Sequence, residues 1–458
     1  ASRNLTLTLG LRWEYYPFMT RTFDGFERYD LDTGKVLIGR FGGIDDNAGI
    51  EVSKKLFAPR VGVAYRLGDR GVIRSGYGIT IDPYPMARPM RSPYPVVIWS
   101  DNEGPNTFQP YGSLEKGIPA IVPPDITKGT IDIPANVGTR TMERGPFKRG
   151  YIQSWNLFYE RQLPGRFVGS AGYVGTHSVH QLANLEANTA APGTGTPGRI
   201  LNQRFGRTAT TGLVAPWADS DYHALQSSLD RRFSNGFFLK TAYTWSRAIN
   251  SLDNSQEGTV YFMYPTYWSR NRGVAGYDRT HNLRVAWLYE LPFGSSKHWA
   301  QSGAGRALLA GWQLNGIFSA YSGTPFTVTA SGTSLASQGS NQVADQILPD
   351  VALLGGIGLG NPYFDPAAFK ALNEPRYGNV GRNSLRGPGY VNVDLSLFRR
   401  FRVTERLNME FRAESANLTN TPHFNNPNAN ASIANTFMMI TGARDDARSF
   451  RFGWRFSF

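Results

Sequence analysis

The sequence predicts an all-β fold, an antiparallel transmembrane β-barrel or part of one with about twelve strands, and three observations carry that prediction. The stretch from Ser449 to Phe458 places an aromatic at every second residue, Phe450, Phe452, Trp454, Phe456 and Phe458, with Arg451, Gly453, Arg455 and Ser457 between them. Side chains alternate faces along a strand, so one face meets something apolar and the other stays wet. The same alternation recurs along the chain in segments of roughly ten residues, the length a tilted strand needs to cross a bilayer. Finally, the connections alternate between tight turns and long loops, which nothing forces on a sandwich or a propeller.

Composition agrees. Gly 50, Tyr 22, Phe 28 and Trp 10 in 458 residues suit twisted strands and turns. A mean hydropathy of −0.35 hides the apolar content, because each strand is half polar. No run of about 18 apolar residues marks a transmembrane helix. The chain opens Ala1-Ser2-Arg3 and reaches a strand pattern at once, with no signal-peptide pattern. The absence of cysteine excludes thiolate metal sites, thiol catalysis and disulfides. The net charge of +13 is spread over strands and loops rather than gathered on one helix or tract, which argues against a nucleic-acid partner. Lumen-lining arginines and loops near anionic lipid headgroups account for it instead.

In order, Leu5, Leu7, Leu9, Leu11, Trp13 and Tyr15 oppose Thr6, Thr8, Gly10, Arg12 and Glu14. A long segment from Tyr16 to Leu56 follows, with a hairpin expected around Asp32-Thr33-Gly34. Val61, Val63, Tyr65 and Leu67 turn through Gly68-Asp69-Arg70-Gly71 into Ile73 to Ile81. From Asp82 to about Arg149 the chain is Pro-rich and reads as one large loop. Trp155, Leu157 and Tyr159 turn at Pro164-Gly165 into Phe167, Ala171 and Tyr173. A second long loop is expected from Ser178 to Ser220. Leu225, Leu229 and Phe233 then turn at Asn235-Gly236, a strong hairpin signal, into Phe237, Leu239, Tyr243 and Trp245. After a loop from Ala248 to Tyr277 come Leu283 to Leu291, a connection of middling length, Trp312 to Ala320, and a loop from Thr324 to near Gly389. Val391 to Phe401, a short turn, Leu407 to Ala413, a loop to Arg448 and the terminal strand complete the series. Short turns fall on the periplasmic side of outer-membrane barrels and long loops outside.

Several junctions together resemble the barrel of Oar-like TonB-dependent transporters. They are Ala58-Pro59-Arg60-Val61-Gly62, Tyr222-His223-Ala224-Leu225-Gln226, Tyr243-Thr244-Trp245-Ser246, Asp278-Arg279-Thr280-His281, Gly311-Trp312-Gln313-Leu314, Gly323-Thr324-Pro325-Phe326, Gly381-Arg382-Asn383 with Arg386-Gly387-Pro388-Gly389, and Phe411-Arg412-Ala413-Glu414. The resemblance implies an outer-membrane location, an N-terminal regulatory-like domain, a plug and a barrel of about 22 strands. Against that pattern residues 1–458 show neither plug nor TonB box, so they look like a C-terminal barrel portion. The partners implied are outer-membrane lipid, the barrel insertion machinery, which reads the aromatic terminal strand with Phe458 in its last place, and a TonB-type energy system reached through upstream parts.

The charges to weigh lie on the polar face: Arg12, Glu14, Arg60, Arg66, Glu160, Arg284, Glu290, Glu410, Arg412 and Glu414. A charge facing lipid costs a few kcal/mol at the midplane, so these face the lumen. They form either a polar wall against a plug or solute, or ion pairs between neighbouring strands. Tyr84, Tyr94, Trp99, Phe108, Tyr261, Tyr264 and Trp268 lie in long loops and are candidates to grip an external ligand, though aromatics also pack loops together. His177 and His180 lack a recognisable third ligand, the paired acids Asp45-Asp46 and Asp445-Asp446 read as solvated turns, and Gly355 to Gly360 reads as a flexible loop without the Lys-Ser/Thr of a phosphate loop. No catalytic, cofactor or metal site is expected, and the chain reads as a non-enzyme. Two functions stay open: energy-coupled uptake of a bulky solute, or a passive pore or binding barrel.

Overall fold

The computed structural model describes residues 3–83, 90–91, 93–98, 112–117, 122–253, 260–295, 297–337, 340–402, 404 and 406–458. Twelve strands form one antiparallel meander in chain order: β1 (Leu5–Glu14), β2 (Leu56–Leu67), β3 (Gly71–Ile81), β4 (Tyr151–Leu163), β5 (Phe167–Glu186), β6 (Thr211–Ser234), β7 (Phe237–Asn250), β8 (His281–Glu290), β9 (Trp312–Tyr321), β10 (Tyr390–Arg402), β11 (Asn408–Ala416) and β12 (Ser449–Ser457). β1 pairs with β2 and β12 with β11; each of these terminal strands has one partner among the described residues. No helix among the described residues is long and apolar enough to cross a membrane.

The register confirms the two faces. Leu157 stands opposite Tyr173, and Tyr173 opposite Leu225, which stands opposite Trp245. All four belong to the apolar face, and all but Tyr173 are more than 40% exposed, as is Leu9 at 75%. A soluble sheet does not leave so continuous an apolar surface open. Here it is the surface that lipid covers, and it includes aromatics whose polar ends are tethered. The Tyr77 phenol donates to Gln153 Oε1 (3.0 Å), and the Tyr173 and Tyr243 phenols sit 2.6 and 2.8 Å from the Nδ1 atoms of His223 and His281. Each of these phenols on the apolar face thus has its polar end satisfied within the sheet.

Tight turns close one end. At Asn235-Gly236 both residues have positive φ (53° and 75°), the twist a two-residue hairpin needs and the reason Asn-Gly serves there. Long connections gather at the other end and are packed, with four hydrophobic clusters among them. One joins Phe262, Phe326, Val343, Phe369, Tyr377 and Met438 from three different loops. Two others take in Leu182, Ala183, Leu185, Leu213 and Val214. The hairpin expected at Asp32-Thr33-Gly34 is present as paired strands Glu27–Tyr29 and Val36–Ile38, joined by Thr130–Ile131.

Two expectations need correction. The segment from Ser178 to Ser220 is not all loop, because β5 runs to Glu186 and β6 starts at Thr211, leaving 187–210 between them. A register shift between Ser178 and Gln181 marks the start of the extension. Beyond it, loops cover both faces, so Leu182, Ala183 and Leu185 are all buried and the alternation that signals a strand disappears. Gly355 to Gly360 is not a free loop either: the amides of Gly355 and Gly358 donate to the carbonyls of Tyr363 and Ile440 (both 3.0 Å).

Candidate functional site

The charges assigned to the polar face by alternation fall into two groups by the partners they make. Some are paired. Arg12 Nε lies 2.8 Å from Glu14 Oε1, and Glu14 also accepts from the Tyr16 phenol. Glu290 pairs with Lys297 (2.8 Å) in the turn below. Glu410 lies between Arg400 (2.7 Å) on β10 and Arg412 (2.6 Å) on its own strand. The remainder make no ion pair among the described residues. Arg60 stands between Gly10 and Gly78 in register, and Arg66 stands opposite Val72 near the short turn. Arg284 donates to Ser319 Oγ (3.2 Å), and Glu414 stands opposite Ser396 and Arg451. Glu160 lines a cavity of about 800 Å³ at the short-turn end with Gln162, Ser170, Ser228 and Asp230. Of the ion pairs these ten charges make among the described residues, Arg400–Glu410 alone joins two strands, so cross-strand pairing does not by itself explain the polar wall.

The loop aromatics behave differently from a ligand-gripping set. Tyr84, Trp99 and Phe108 lie outside the described residues. Tyr94 is 5% exposed in a loop cluster, where its amide donates to Thr139 Oγ1 (3.0 Å). Tyr261 packs against the largest loop cluster, and Tyr264 lies 6.4 Å from Tyr267. Trp268 donates to the Met263 carbonyl (2.7 Å) and meets Trp217 edge-on. Tyr94 and Tyr261 pack in loop clusters, Trp268 packs its own loop against Trp217 of β6, and Tyr264 meets a neighbour in its own loop. Phe450, Phe452, Trp454 and Phe456 of β12 and Phe458 just beyond it are all exposed, Phe452 at 70%.

Counting did not single out the mouth of the lumen. Gly323 lies so close to Gly387 that a Cβ there would collide with the Gly387 carbonyl. That approach brings the end of β9 against the start of β10 and stacks Tyr321 on Tyr390 (centroids 4.4 Å, planes 6° apart). His423 continues the stack at 3.9 Å, with Nδ1 2.7 Å from Asp446 Oδ2 and Nε2 2.9 Å from the Val391 carbonyl. The Arg279 guanidinium lies 4.9 Å above the Tyr321 ring, and the Arg444 guanidinium 5.6 Å above Tyr390. Arg386 anchors the assembly on Asp278 (2.6 Å) and the Gly323 carbonyl (2.7 Å). A cavity of about 190 Å³ remains, lined by these rings and arginines together with Thr324, Asn425 and Asn426, and by no carboxylate. Stacked rings under guanidinium groups that make no ion pair among the described residues suit a planar or anionic group. Tyr321 and Tyr390 were legible as inward residues at strand ends, whereas His423 and Arg444 come from a loop without period.

Among the described residues no three His, Cys, Asp or Glu side chains gather as metal ligands. His177 pairs with Asp221 (2.6 Å), while His180 turns away at the β5 irregularity with φ 54° and packs edge-on against Tyr151. Asp446 is taken by His423, and Asp46 pairs with Arg40 (3.1 Å). At the loop end of β5, buried Glu186 accepts from the amides of Asn188 (2.7 Å) and Thr211 (2.8 Å). Burial pushes its carboxyl above the usual carboxylate range despite those donors.

An apolar girdle, a polar inner wall, short turns below and packed loops above define a membrane-spanning barrel. The chain belongs to the outer membrane beta barrel domain family, whose model matches residues 1–451. Its place is the cell outer membrane. A search of curated proteins returned no match. Among solved structures it is similar to the outer membrane transporter YddB from Escherichia coli, at 9% identity, over 92% of this chain and 42% of that one, with a TM-score of 0.47. The siderophore receptor PirA from Acinetobacter baumannii matches at 11% identity over 100% and 44%, with a TM-score of 0.45. The pyoverdine receptor FpvA from Pseudomonas aeruginosa PAO1 matches at 12% over 100% and 40%, with a TM-score of 0.43. The chain thus spans about two-fifths of the length of these proteins.

Proposed function

We propose that this barrel is the membrane-spanning part of an energy-coupled outer-membrane transporter that takes up a bulky, anionic solute. In this reading the plug and the segment reaching a TonB-type energy system lie upstream of residue 1. The observation that carries the solute class is the mouth cavity, where Arg279 and Arg444 stand over Tyr321 and Tyr390 with no lining carboxylate. Neither guanidinium is held against an acid: Arg279 donates to the Ser322 carbonyl (2.8 Å) and Arg444 to the Tyr321 phenol (3.3 Å), which leaves each further N–H donors for a carboxylate or phosphate. The motif resemblance from Ala58 to Glu414 supports the transporter class. The inner-wall charges without ion pairs, Arg60 and Arg284 among them, provide a polar surface for a plug or a passing solute.

The test is the intact mass and peptide map of the protein taken from native outer membranes. A chain well above 50.8 kDa, with plug peptides preceding Asn4, supports energised uptake. A mature chain beginning at Asn4 would sink it and leave a passive pore.

A further inference from the structure

The outer wall carries a second feature, separate from the lumen. A cavity of about 470 Å³ opens on the lipid-facing side where β2, β3 and β4 reach the loop end. Its floor is apolar: Phe57, Ile79, Ile81 and Tyr151. Phe57 is 52% exposed, so the floor is continuous with the lipid-covered girdle. Its upper rim is basic, made by Lys55, Lys148 and Arg149 with His180, and no carboxylate among the described residues lines the cavity. Arg149 is fixed in place by the Asp82 carbonyl (2.8 Å) and the Tyr16 ring (4.2 Å). Lys55 and Lys148 are exposed and have no ion-pair partner among the described residues.

Height decides what such a site meets. Ile81 lies ten residues above Gly71 at the short turn. At about 3.4 Å per residue and a tilt near 40°, that is about 26 Å, close to the height of a barrel's apolar band. Acyl chains therefore end near Ile81, and the lysines stand at headgroup level. We propose that this cavity binds a phosphate-bearing lipid of the outer leaflet, with its chains on Phe57 and Ile79 and its phosphate between Lys55 and Lys148. A free anion would gain nothing from the apolar floor, and a neutral lipid nothing from the rim.

The experiment is native mass spectrometry of the detergent-purified barrel mixed with diphosphorylated lipid A. The wild-type chain should retain one lipid. K55E/K148E should retain at least tenfold less, and the neutral pair K55Q/K148Q should shift in the same direction. The charge-matched control K116E/K370E, at two lysines that do not line the cavity, should leave retention unchanged. Folding of each variant is checked by its heat-modifiable migration on gels. Equal retention by K55E/K148E or K55Q/K148Q, equal retention of a phosphate-free glycolipid, or displacement by inorganic phosphate at lipid-equivalent concentration would each overturn the assignment.

Discussion

Substituting Leu157 by Arg tests the facing of the strands in a single residue. Leu157 lies on the apolar face, 54% exposed, opposite Ser75 and Tyr173. It stands six residues from Leu163 at the short turn, about 16 Å up at 3.4 Å per residue and a 40° tilt, near the middle of an apolar band about 25 Å tall. An arginine there costs about 2–4 kcal/mol, which is roughly 30- to 1000-fold in the folding equilibrium at about 1.4 kcal/mol per tenfold. Snorkelling toward either interface moves the value to the lower end. Asn156→Arg is the matched control: same strand, same depth, opposite face, where Asn156 stands over Gly76. Both variants are folded into short-chain phosphatidylcholine vesicles and unfolded reversibly in urea, with tryptophan fluorescence as the readout. Leu157→Arg should lose stability by that amount and Asn156→Arg by less than about 1 kcal/mol. Equal losses, or a larger loss for Asn156→Arg, would refute the assignment of faces.

Three further outcomes are expected. Glu186→Ala leaves two buried amides without an acceptor and should cost about 1–3 kcal/mol for each, whereas Glu186→Gln keeps an oxygen for both. Because burial raises the Glu186 pKa, the native state holds its proton more tightly than the unfolded chain, so the ionised group is a liability at high pH that fades as pH falls through the folded-state value. The thermal stability of Glu186→Gln relative to wild type should therefore be best at pH 8 and decline toward pH 4; a constant difference would contradict this. Gly323→Val should push the Gly387 carbonyl away and cost about 1–3 kcal/mol, read as a lowered melting temperature with weaker protection of 386–390 from hydrogen exchange. If the terminal aromatics are the assembly signal, Phe456→Ser with Phe458→Ser should lower the yield of heat-modifiable barrel far more than Ser331→Ala does, and equal yields would count against it.

How much could be read from sequence depended on whether one face of a segment was dry and the other wet. The strand from Ser449 was legible because lipid and lumen demand opposite side chains at successive positions, and the inward assignment of Arg12, Glu14 and Glu410 followed from the same count. The β5 and β6 extensions were not, because loops bury both faces of Leu182 to Leu185 and erase the period. Loop packing was hidden for a related reason. Phe262, Tyr377 and Met438 meet from three loops, and long-range meetings without local periodicity leave no trace in spacing. Sequence therefore left ligand contact and loop packing both open for Tyr94 and Trp268, and both pack in loop clusters. The mouth lies between these cases: alternation gives Tyr321 and Tyr390, while Arg444 and His423 are delivered by the 417–448 connection.

The central claim is an outer-membrane barrel with its short turns in the periplasm and its packed loops outside. The chain contains no cysteine, so single-cysteine variants report one position each. Glu115→Cys lies in the long loop between β3 and β4, and Asp69→Cys in the turn between β2 and β3, both exposed. Treated with a membrane-impermeant maleimide on intact cells, Glu115→Cys should label and Asp69→Cys should label only after the outer membrane is broken. Labelling of Asp69→Cys alone on intact cells, or of both variants in a soluble fraction, would contradict the account.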